Sequence, residues 1–315
     1  MGTTVIPRIL SRRLELAALM LLASGQSVGQ SPAPYAPPGK LIDLGGYRVH
    51  LYCTGEGSPT VMVVGAGFSF DWGLVQPSVA RFTRICTYDP SGTAWSDPGP
   101  ALTCAEKVDE VRKLLKNAKI AGPYVFAGLS AGALLARLYA SLYPSEVAGM
   151  VIVDHAFIDV AGDPPAGKST VLGLDSSPVL IRQTPIVPTV EETSNFSKLP
   201  DRIQKLHRWA ESLKPVHPTV ETAEDCLSQL SRTEREPHPL GSAPLIVIST
   251  GNSRPNYIKL QTELLSLSTR SAQLIAERSF HSVEIDQPEV VVDAITQVVD
   301  MARKPGNVVG PGGRH

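Results

Sequence analysis

The chain has 315 residues, of which 43% are hydrophobic and 19% charged, and its formal net charge at pH 7 is −1. This composition is typical of a globular protein with one large α/β domain or two smaller ones. A near-neutral charge without a dense cluster of lysine and arginine argues against nucleic acid as a main partner, and no apolar run in the body of the chain is long enough to predict a membrane span.

The N-terminus has the layout of a secretory signal peptide. Three arginines among residues 8–13 precede an apolar stretch from Leu14 to Ala23, and small residues follow it. This order predicts a signal peptide over residues 1–29 and therefore an exported protein, periplasmic or secreted. The alternative interpretation is an amphipathic N-terminal helix. Residues 30–40 are rich in proline and predict a spacer, and the glycine-rich tail over residues 304–315 is expected to be flexible.

From residue 41 onward, short apolar runs that predict strands alternate with segments of helical apolar spacing. The predicted strands are Leu41–Leu44, Tyr47–Cys53, Thr60–Val64, Arg84–Tyr88, Tyr124–Ala127, Val147–Val153, Leu245–Ser249 and Ala272–Ala276. The predicted helices are Cys104–Lys119, Ala131–Tyr143, Leu199–Leu213 and Glu289–Ala302. Such alternation predicts an α/β fold with a mostly parallel sheet and helices on both of its faces.

One segment interrupts the alternation. Residues 155–243 contain no clear strand, are rich in proline and lie between two strands that read as fully buried. A structureless loop of that length is improbable in a compact domain. We therefore predict a helical cap over residues 155–243, inserted into a core made of residues 41–154 and 244–303.

The pattern G-x-S-x-G occurs between a predicted strand and a predicted helix, at Gly128-Leu129-Ser130-Ala131-Gly132. A short apolar run precedes it and an Ala- and Leu-rich helical segment follows. A serine on such a sharp strand-to-helix turn has its hydroxyl pushed out of the sheet, and the flanking glycines avoid a clash in the turn. We predict Ser130 as a nucleophile.

A serine hydroxyl needs a base to accept its proton, and that base is expected late in the chain. Of seven histidines, His281 is the one that follows the last predicted strand and precedes the final helix. Groups at the carboxyl ends of strands meet at one edge of an open α/β sheet. His281 is therefore the predicted base, and the alternative is an ordinary surface histidine.

The acid that would orient the base is less well determined by the pattern. The stretch after the strand that follows the cap, Thr250 to Asn256, contains no Asp or Glu. Asp154 ends the buried strand before the cap, where an unpaired carboxylate would be costly. We predict Asp154 as the acid, with a role in capping the entry to the cap as the alternative. Glu263 and Asp159 are weaker candidates.

The developing oxyanion needs N–H donors. The amide of Ala131, the residue after the nucleophile, is one, and the loop after the third strand supplies the other, for which Phe68 is predicted. Gly65-Ala66-Gly67 in that loop also resembles part of a dinucleotide fingerprint, but Phe70 stands where the third glycine should be. No cofactor is expected, and no Cys or His spacing predicts a metal site. Four cysteines allow three pairings.

Together these stretches resemble the α/β-hydrolase superfamily over nearly the whole chain from residue 41 to 303. Besides the serine turn and His281, the likeness rests on Gly65 to Phe68 and on Tyr88 to Asp97. The resemblance implies an eight-stranded sheet with a cap between strands six and seven. It also implies that strand two lies beside strand four, which would bring Cys53 near Cys86. Some lipases of the superfamily carry the acid after strand six, which favours Asp154.

The sequence thus predicts a serine hydrolase that cleaves an ester-like bond of a small-molecule substrate through an acyl-enzyme. The catalytic residues would be Ser130, His281 and Asp154, with the amides of Phe68 and Ala131 as oxyanion donors. The alternative is a catalytically silent binding protein of the same fold. A plain dinucleotide-binding domain is disfavoured because the third glycine is missing.

Overall fold

The computed structural model describes residues 1–2, 33–65, 67–155, 195–213, 223–234, 236–253 and 255–304. Contacts divide the chain into residues 1–31 and 32–315, and the fold below is that of the second unit. Except for residues 1–2, the predicted signal peptide lies outside the described residues, and so does the predicted tail except for residue 304. In the described part of the chain, no helix combines the length and hydropathy needed to cross a membrane.

Eight strands form one sheet in the order β1-β2-β4-β3-β5-β6-β7-β8. They are β1 Lys40–Asp43, β2 Arg48–Thr54, β3 Thr60–Gly65, β4 Ile85–Asp89, β5 Tyr124–Leu129, β6 Val147–Val153, β7 Leu245–Thr250 and β8 Ser271–Ala276. Strand β2 is antiparallel to both of its neighbours, and the strands from β3 to β8 are parallel. The predicted fold class is confirmed, and each predicted strand is present within two residues of its bounds.

The helices cover both faces of this sheet. Among the described residues they are α1 Gln76–Val79, α2 Cys104–Asn117, α3 Ala131–Leu142, α4 Asp201–Ser212, α5 Ala223–Thr233, α6 Pro255–Glu263, α7 Val283–Asp286 and α8 Pro288–Arg303, and a 3-10 turn covers Ser69–Leu74. Alternate side chains of β3 serve the two faces: Met62 packs in the cluster that includes helices α2 and α3, and Val63 in the cluster that includes α8. This two-sided burial explains the uninterrupted apolar strand sequences.

Two helices, α4 and α5, occupy the described part of the segment between β6 and β7. The sequence predicts α4 closely but not α5. The predicted cap also includes residues 156–194, 214–222 and 235, which lie outside the described residues, so its boundaries stay a prediction.

Two disulfides cross-link the chain. Strands β2 and β4 are neighbours, Cys53 lies directly opposite Cys86, and the two form the disulfide that the resemblance implied. A second disulfide joins Cys104, the first residue of α2, to Cys226 on α5 across 122 residues of sequence. In the chain-entropy model a cross-link over so long a loop stabilises the fold by about 4–5 kcal/mol. It fastens a helix of the inserted segment to the core.

Candidate active site

Ser130 lies between β5 and α3 in a backbone conformation that the surrounding structure enforces. Its φ is 53° and its ψ −122°, which is rare for a residue with a side chain. A Cβ on Gly132 would lie 2.1 Å from the carbonyl oxygen of Val64, and one on Gly128 would lie 2.7 Å from Cα of Ala133. Only glycine fits at both positions, so the strained turn and its half-exposed serine follow from local packing.

His281 and Asp154 are joined by a hydrogen bond. His281 Nδ1 lies 2.6 Å from Asp154 Oδ2, and the Asp154 side chain is 5% exposed against 36% for His281. When Nδ1 carries the proton and donates it to a carboxylate, Nε2 is left as the basic nitrogen. The pair therefore has the arrangement that a histidine base and its orienting acid require.

The sheet topology brings Ser130 to the same edge. Leu129 and Val153 are paired in the register of β5 and β6, so Ser130 and Asp154 follow the ends of adjacent strands. The Ser130 amide also donates to the Val153 carbonyl at 3.0 Å. His281 follows β8, whose carboxyl end lies at this edge because the strands are parallel.

The other residues considered for the acid lie elsewhere. In the stretch after β7 that lacks an acid, Asn252 Nδ2 donates to the Ser279 carbonyl at 3.1 Å and so supports the loop that carries His281. Glu263 is the last residue of α6, and Asp159 lies outside the described residues. Among the described residues, the carboxylate that contacts His281 is that of Asp154.

The two predicted oxyanion donors differ in their surroundings. Ala131 is exposed and is the first residue of α3, so its N–H has no acceptor within the helix. The Phe68 N–H, by contrast, donates to Asp71 Oδ2 at 2.8 Å. An oxyanion would receive the Phe68 N–H only by sharing that hydrogen or by displacing Asp71, a constraint that the sequence pattern did not reveal.

Asp71 is held from the inserted segment by His207, which lies on α4. His207 Nδ1 is 2.8 Å from Asp71 Oδ1, and its Nε2 is 3.0 Å from Glu211 Oε1. Burial alone would lower the pKa of His207, but the hydrogen bond to Asp71 and the charges of Asp71 and Glu211 raise that pKa above its ordinary value. The ring also contacts Phe68 edge-on, with centroids 5.4 Å apart.

A third histidine–aspartate pair, fully buried, supports the same loop. His50, on β2, has its Nδ1 2.7 Å from Asp89 Oδ2, and both side chains are fully buried. The other oxygen of Asp89 accepts the Ser69 N–H at 2.8 Å. His50 precedes the Ser130 turn in the chain, and the structure places it in this supporting contact.

Glu284 is a buried acid close to the site. It lies on α7, is 1% exposed, and its Oε2 has no hydrogen-bond partner among the described residues. Burial raises the pKa of Glu284 well above its ordinary value, and the charges of Asp71, Asp286 and Asp154 act in the same direction, against a lowering by its own backbone amide. Folding therefore favours the neutral acid over the carboxylate at this position.

Stability is expected to fall as the pH rises from about 5 to 8 because the folded-state pKa values of His207 and Glu284 are both raised. Each group contributes fully below its unfolded pKa, about 6.5 for His and 4.3 for Glu, and its contribution is lost as the pH rises through the folded pKa. Glu284→Gln should raise Tm at pH 8 by about 2–6 °C and change it little at pH 5. Thermal unfolding followed by circular dichroism measures this.

The matched control is Glu289→Gln, which changes an exposed glutamate on the adjacent helix α8. Its Tm should follow the wild-type value at both pH values. Equal effects of the two substitutions at pH 8 would contradict the assignment of Glu284 as a buried neutral acid.

In the described part of the chain, no group of three or more His, Cys, Asp or Glu side chains is arranged to hold a metal ion. The chemistry available at this edge of the sheet is that of a serine hydroxyl, an imidazole, a carboxylate and backbone amides. Sequence reasoning missed Asp71, His207 and Glu284, which carry no motif and reach the site from separate elements.

A mostly parallel sheet with a serine turn after β5, an aspartate after β6 and a histidine after β8 defines an α/β-hydrolase type of fold. The family model for the alpha/beta hydrolase fold matches residues 61–223, more than half of the chain. The chain therefore belongs to the alpha/beta hydrolase fold family.

Sequence and structure comparisons agree with this assignment. The chain is 26% identical over 269 residues to the uncharacterized protein YqjL of Bacillus subtilis, covering 82% of this chain and 91% of YqjL. It is similar in structure to a thermophilic esterase from Thermogutta terrifontis, with a TM-score of 0.57, 17% identity, and coverage of 85% of this chain and 100% of the esterase. It is also similar in structure to Est816, described as an N-acyl homoserine lactone degrading enzyme, with a TM-score of 0.59, 18% identity, and coverage of 82% of this chain and 99% of Est816. At these identities the structural likeness concerns the fold.

Proposed function

We propose that the protein is a serine hydrolase that cleaves an ester-like bond of a small-molecule substrate. The hydrogen bond between His281 and Asp154, at the sheet edge where the Ser130 turn lies, is the observation that carries the proposal. Membership of the alpha/beta hydrolase fold family supports the general class of hydrolase.

In the proposed mechanism, Ser130 Oγ attacks the substrate carbonyl carbon while His281 Nε2 accepts the hydroxyl proton. Asp154 keeps the His281 Nδ1–H oriented and stabilises the imidazolium that forms. The oxyanion is bound by the Ala131 N–H and by the Phe68 N–H when Asp71 shares it. The imidazolium then protonates the leaving alcohol, and water, activated by His281, hydrolyses the acyl-enzyme and regenerates Ser130.

A catalytically silent protein of the same fold is the second candidate, and one observation favours it. The Phe68 amide, proposed as an oxyanion donor, is already bound to Asp71. A hole with one free amide would stabilise the transition state less, since each lost donor costs about 10²–10³-fold in kcat.

Labelling with a fluorophosphonate distinguishes the two candidates. An activated Ser130 displaces fluoride from phosphorus and becomes covalently phosphonylated, and His281 accepts the serine proton. We expect the label on the peptide that contains Ser130 and its loss in Ser130→Ala. Ser231→Ala, at an exposed hydroxyl on α5, is the matched control and should label normally. Absence of label on folded wild-type protein would favour the silent candidate.

We also propose that the protein is exported. The two disulfides support export because thiols are usually kept reduced in the cytosol. N-terminal sequencing of the protein recovered from the periplasm or the medium should begin at residue 30. Recovery of the full chain from the cytosol with free thiols would contradict export.

A further inference from the structure

The turn that carries Asp154 is strained. Asp154 has a φ of 38°, a conformation that is unfavourable for a residue with a side chain and persists only where neighbouring contacts enforce it. Its N–H donates to the Ile248 carbonyl at 2.8 Å, which extends the pairing of β6 with β7 by one step. The chain leaves the sheet at the next residue, His155. The conformation of the backbone at Asp154 and His155 therefore determines the direction of the Asp154 side chain.

Gln261, on α6, forms hydrogen bonds to that turn through both the oxygen and the nitrogen of its side-chain amide. It is fully buried, its Oε1 accepts the His155 N–H at 3.3 Å, and its Nε2 donates to the His155 carbonyl at 3.1 Å. The same Nε2 donates to Asp154 Oδ1 at 3.3 Å. The Tyr257 hydroxyl, one turn earlier on α6, also donates to the His155 carbonyl, at 2.5 Å.

The side chain of His155 is held by a residue of a different helix. Arg137, a buried residue on the helix that follows Ser130, has its Nη1 2.8 Å from His155 Nε2. Arg137 is itself paired with Glu234 at 2.5 Å. The turn after β6 is therefore fixed between α6 and the nucleophile helix α3.

The two oxygens of Asp154 have different partners. Oδ2 faces His281 Nδ1, and Oδ1 accepts from Gln261 Nε2. A carboxylate bonded through both oxygens cannot rotate about χ2 without breaking a hydrogen bond. We propose that Gln261 is a positioning residue, which fixes the Asp154 carboxylate in the orientation that directs His281 toward Ser130. This inference rests on the proposed function, since it concerns the acid of the proposed triad.

Gln261→Glu tests the proposal because it keeps the size of the side chain and an acceptor for the His155 N–H. It replaces the donor to Asp154 with an oxygen that is ionised at high pH and then repels the Asp154 carboxylate. We expect kcat for p-nitrophenyl butyrate to fall about 10–100-fold at the alkaline plateau, with KM within twofold of wild type. The added negative charge should move the acidic limb of the kcat profile upward by about one pH unit.

Gln297→Glu is the matched control. Gln297 is exposed on α8, and its Nε2 donates to Asp293 Oδ2 at 3.0 Å. The substitution therefore places a glutamate beside an aspartate at a position that has no proposed role in the site. Its kcat and pH profile should equal those of wild type. If Gln261→Glu also keeps the wild-type kcat and acidic limb, the positioning role is overturned.

A second measurement separates this inference from the proposed function. The proton between His281 Nδ1 and Asp154 is observable by NMR as a slowly exchanging low-field signal, with no need for turnover. We expect that signal to persist in Gln297→Glu and to broaden or shift in Gln261→Glu. An unchanged signal in Gln261→Glu would overturn the inference. If the signal changes in Gln261→Glu but the wild-type protein is inactive and is not labelled by the fluorophosphonate, only the proposed function is overturned.

Discussion

Substitution of Ser130 by alanine is expected to lower kcat for p-nitrophenyl butyrate hydrolysis by about 10⁴–10⁶-fold, with KM little changed. The reason is that the covalent step has no nucleophile, while binding of the substrate does not depend on the hydroxyl. Alanine removes only an oxygen from a half-exposed position and should leave the φ of the turn unchanged. Steady-state kinetics at matched concentrations of folded protein measure the loss.

Ser231→Ala on α5 provides the comparison for a serine of the same chain, and it should keep the wild-type kcat. Residual activity above the rate in water is expected from the Ala131 amide and from substrate binding. A Ser130→Ala protein with kcat within tenfold of wild type would mean that another group attacks the ester.

Asp154→Asn is expected to lower kcat by about 10³–10⁴-fold while the fold stays intact. Asparagine cannot stabilise the imidazolium charge, and its amide donates a hydrogen bond where the carboxylate accepted one. His281 would then accept at Nδ1 and carry its proton on Nε2, which is the wrong tautomer for a base facing Ser130. The rate of fluorophosphonate labelling should fall together with kcat, because both require removal of the same serine proton.

The control for this substitution is Asp300→Asn, which removes the charge of an exposed aspartate on α8 that is paired at 3.8 Å with Arg303. It should change neither kcat nor the labelling rate. If Asp154→Asn retains more than a tenth of wild-type activity, a residue other than Asp154 orients His281.

The elements that the sequence predicts well are those with a local physical cause. Strands β5 and β6 are largely apolar because helices cover both faces of the sheet; the predicted bounds of β6 match the observed ones, and β5 extends two residues beyond its predicted end. The short helices α1 and α7 and the 3-10 turn are too short to show an amphipathic repeat, so the sequence pattern does not predict them. The pattern also does not predict helix α5, which lies in the segment that is predicted only as a cap.

The site divides in the same way. The turn at Ser130 is predicted from five residues because the motif places glycine where a side chain would clash: Gly128 lies against Ala133 of the following helix, and Gly132 lies against Val64 of the neighbouring strand β3. His281 was found from the order of elements along the chain. Asp154 was one of several candidates, since its contact with His281 spans 127 residues and depends on which strand ends meet.

The fold class, the turn at Ser130 and the late position of His281 can be predicted from the residue pattern alone, because they depend on periodicity, on a short glycine motif and on the order of elements. The pattern does not show which acid faces His281, that Asp71 accepts the Phe68 N–H, or that Gln261 contacts Asp154. These are contacts between single side chains that converge from separate elements. Their energies depend on distances of about 3 Å that no residue pattern specifies.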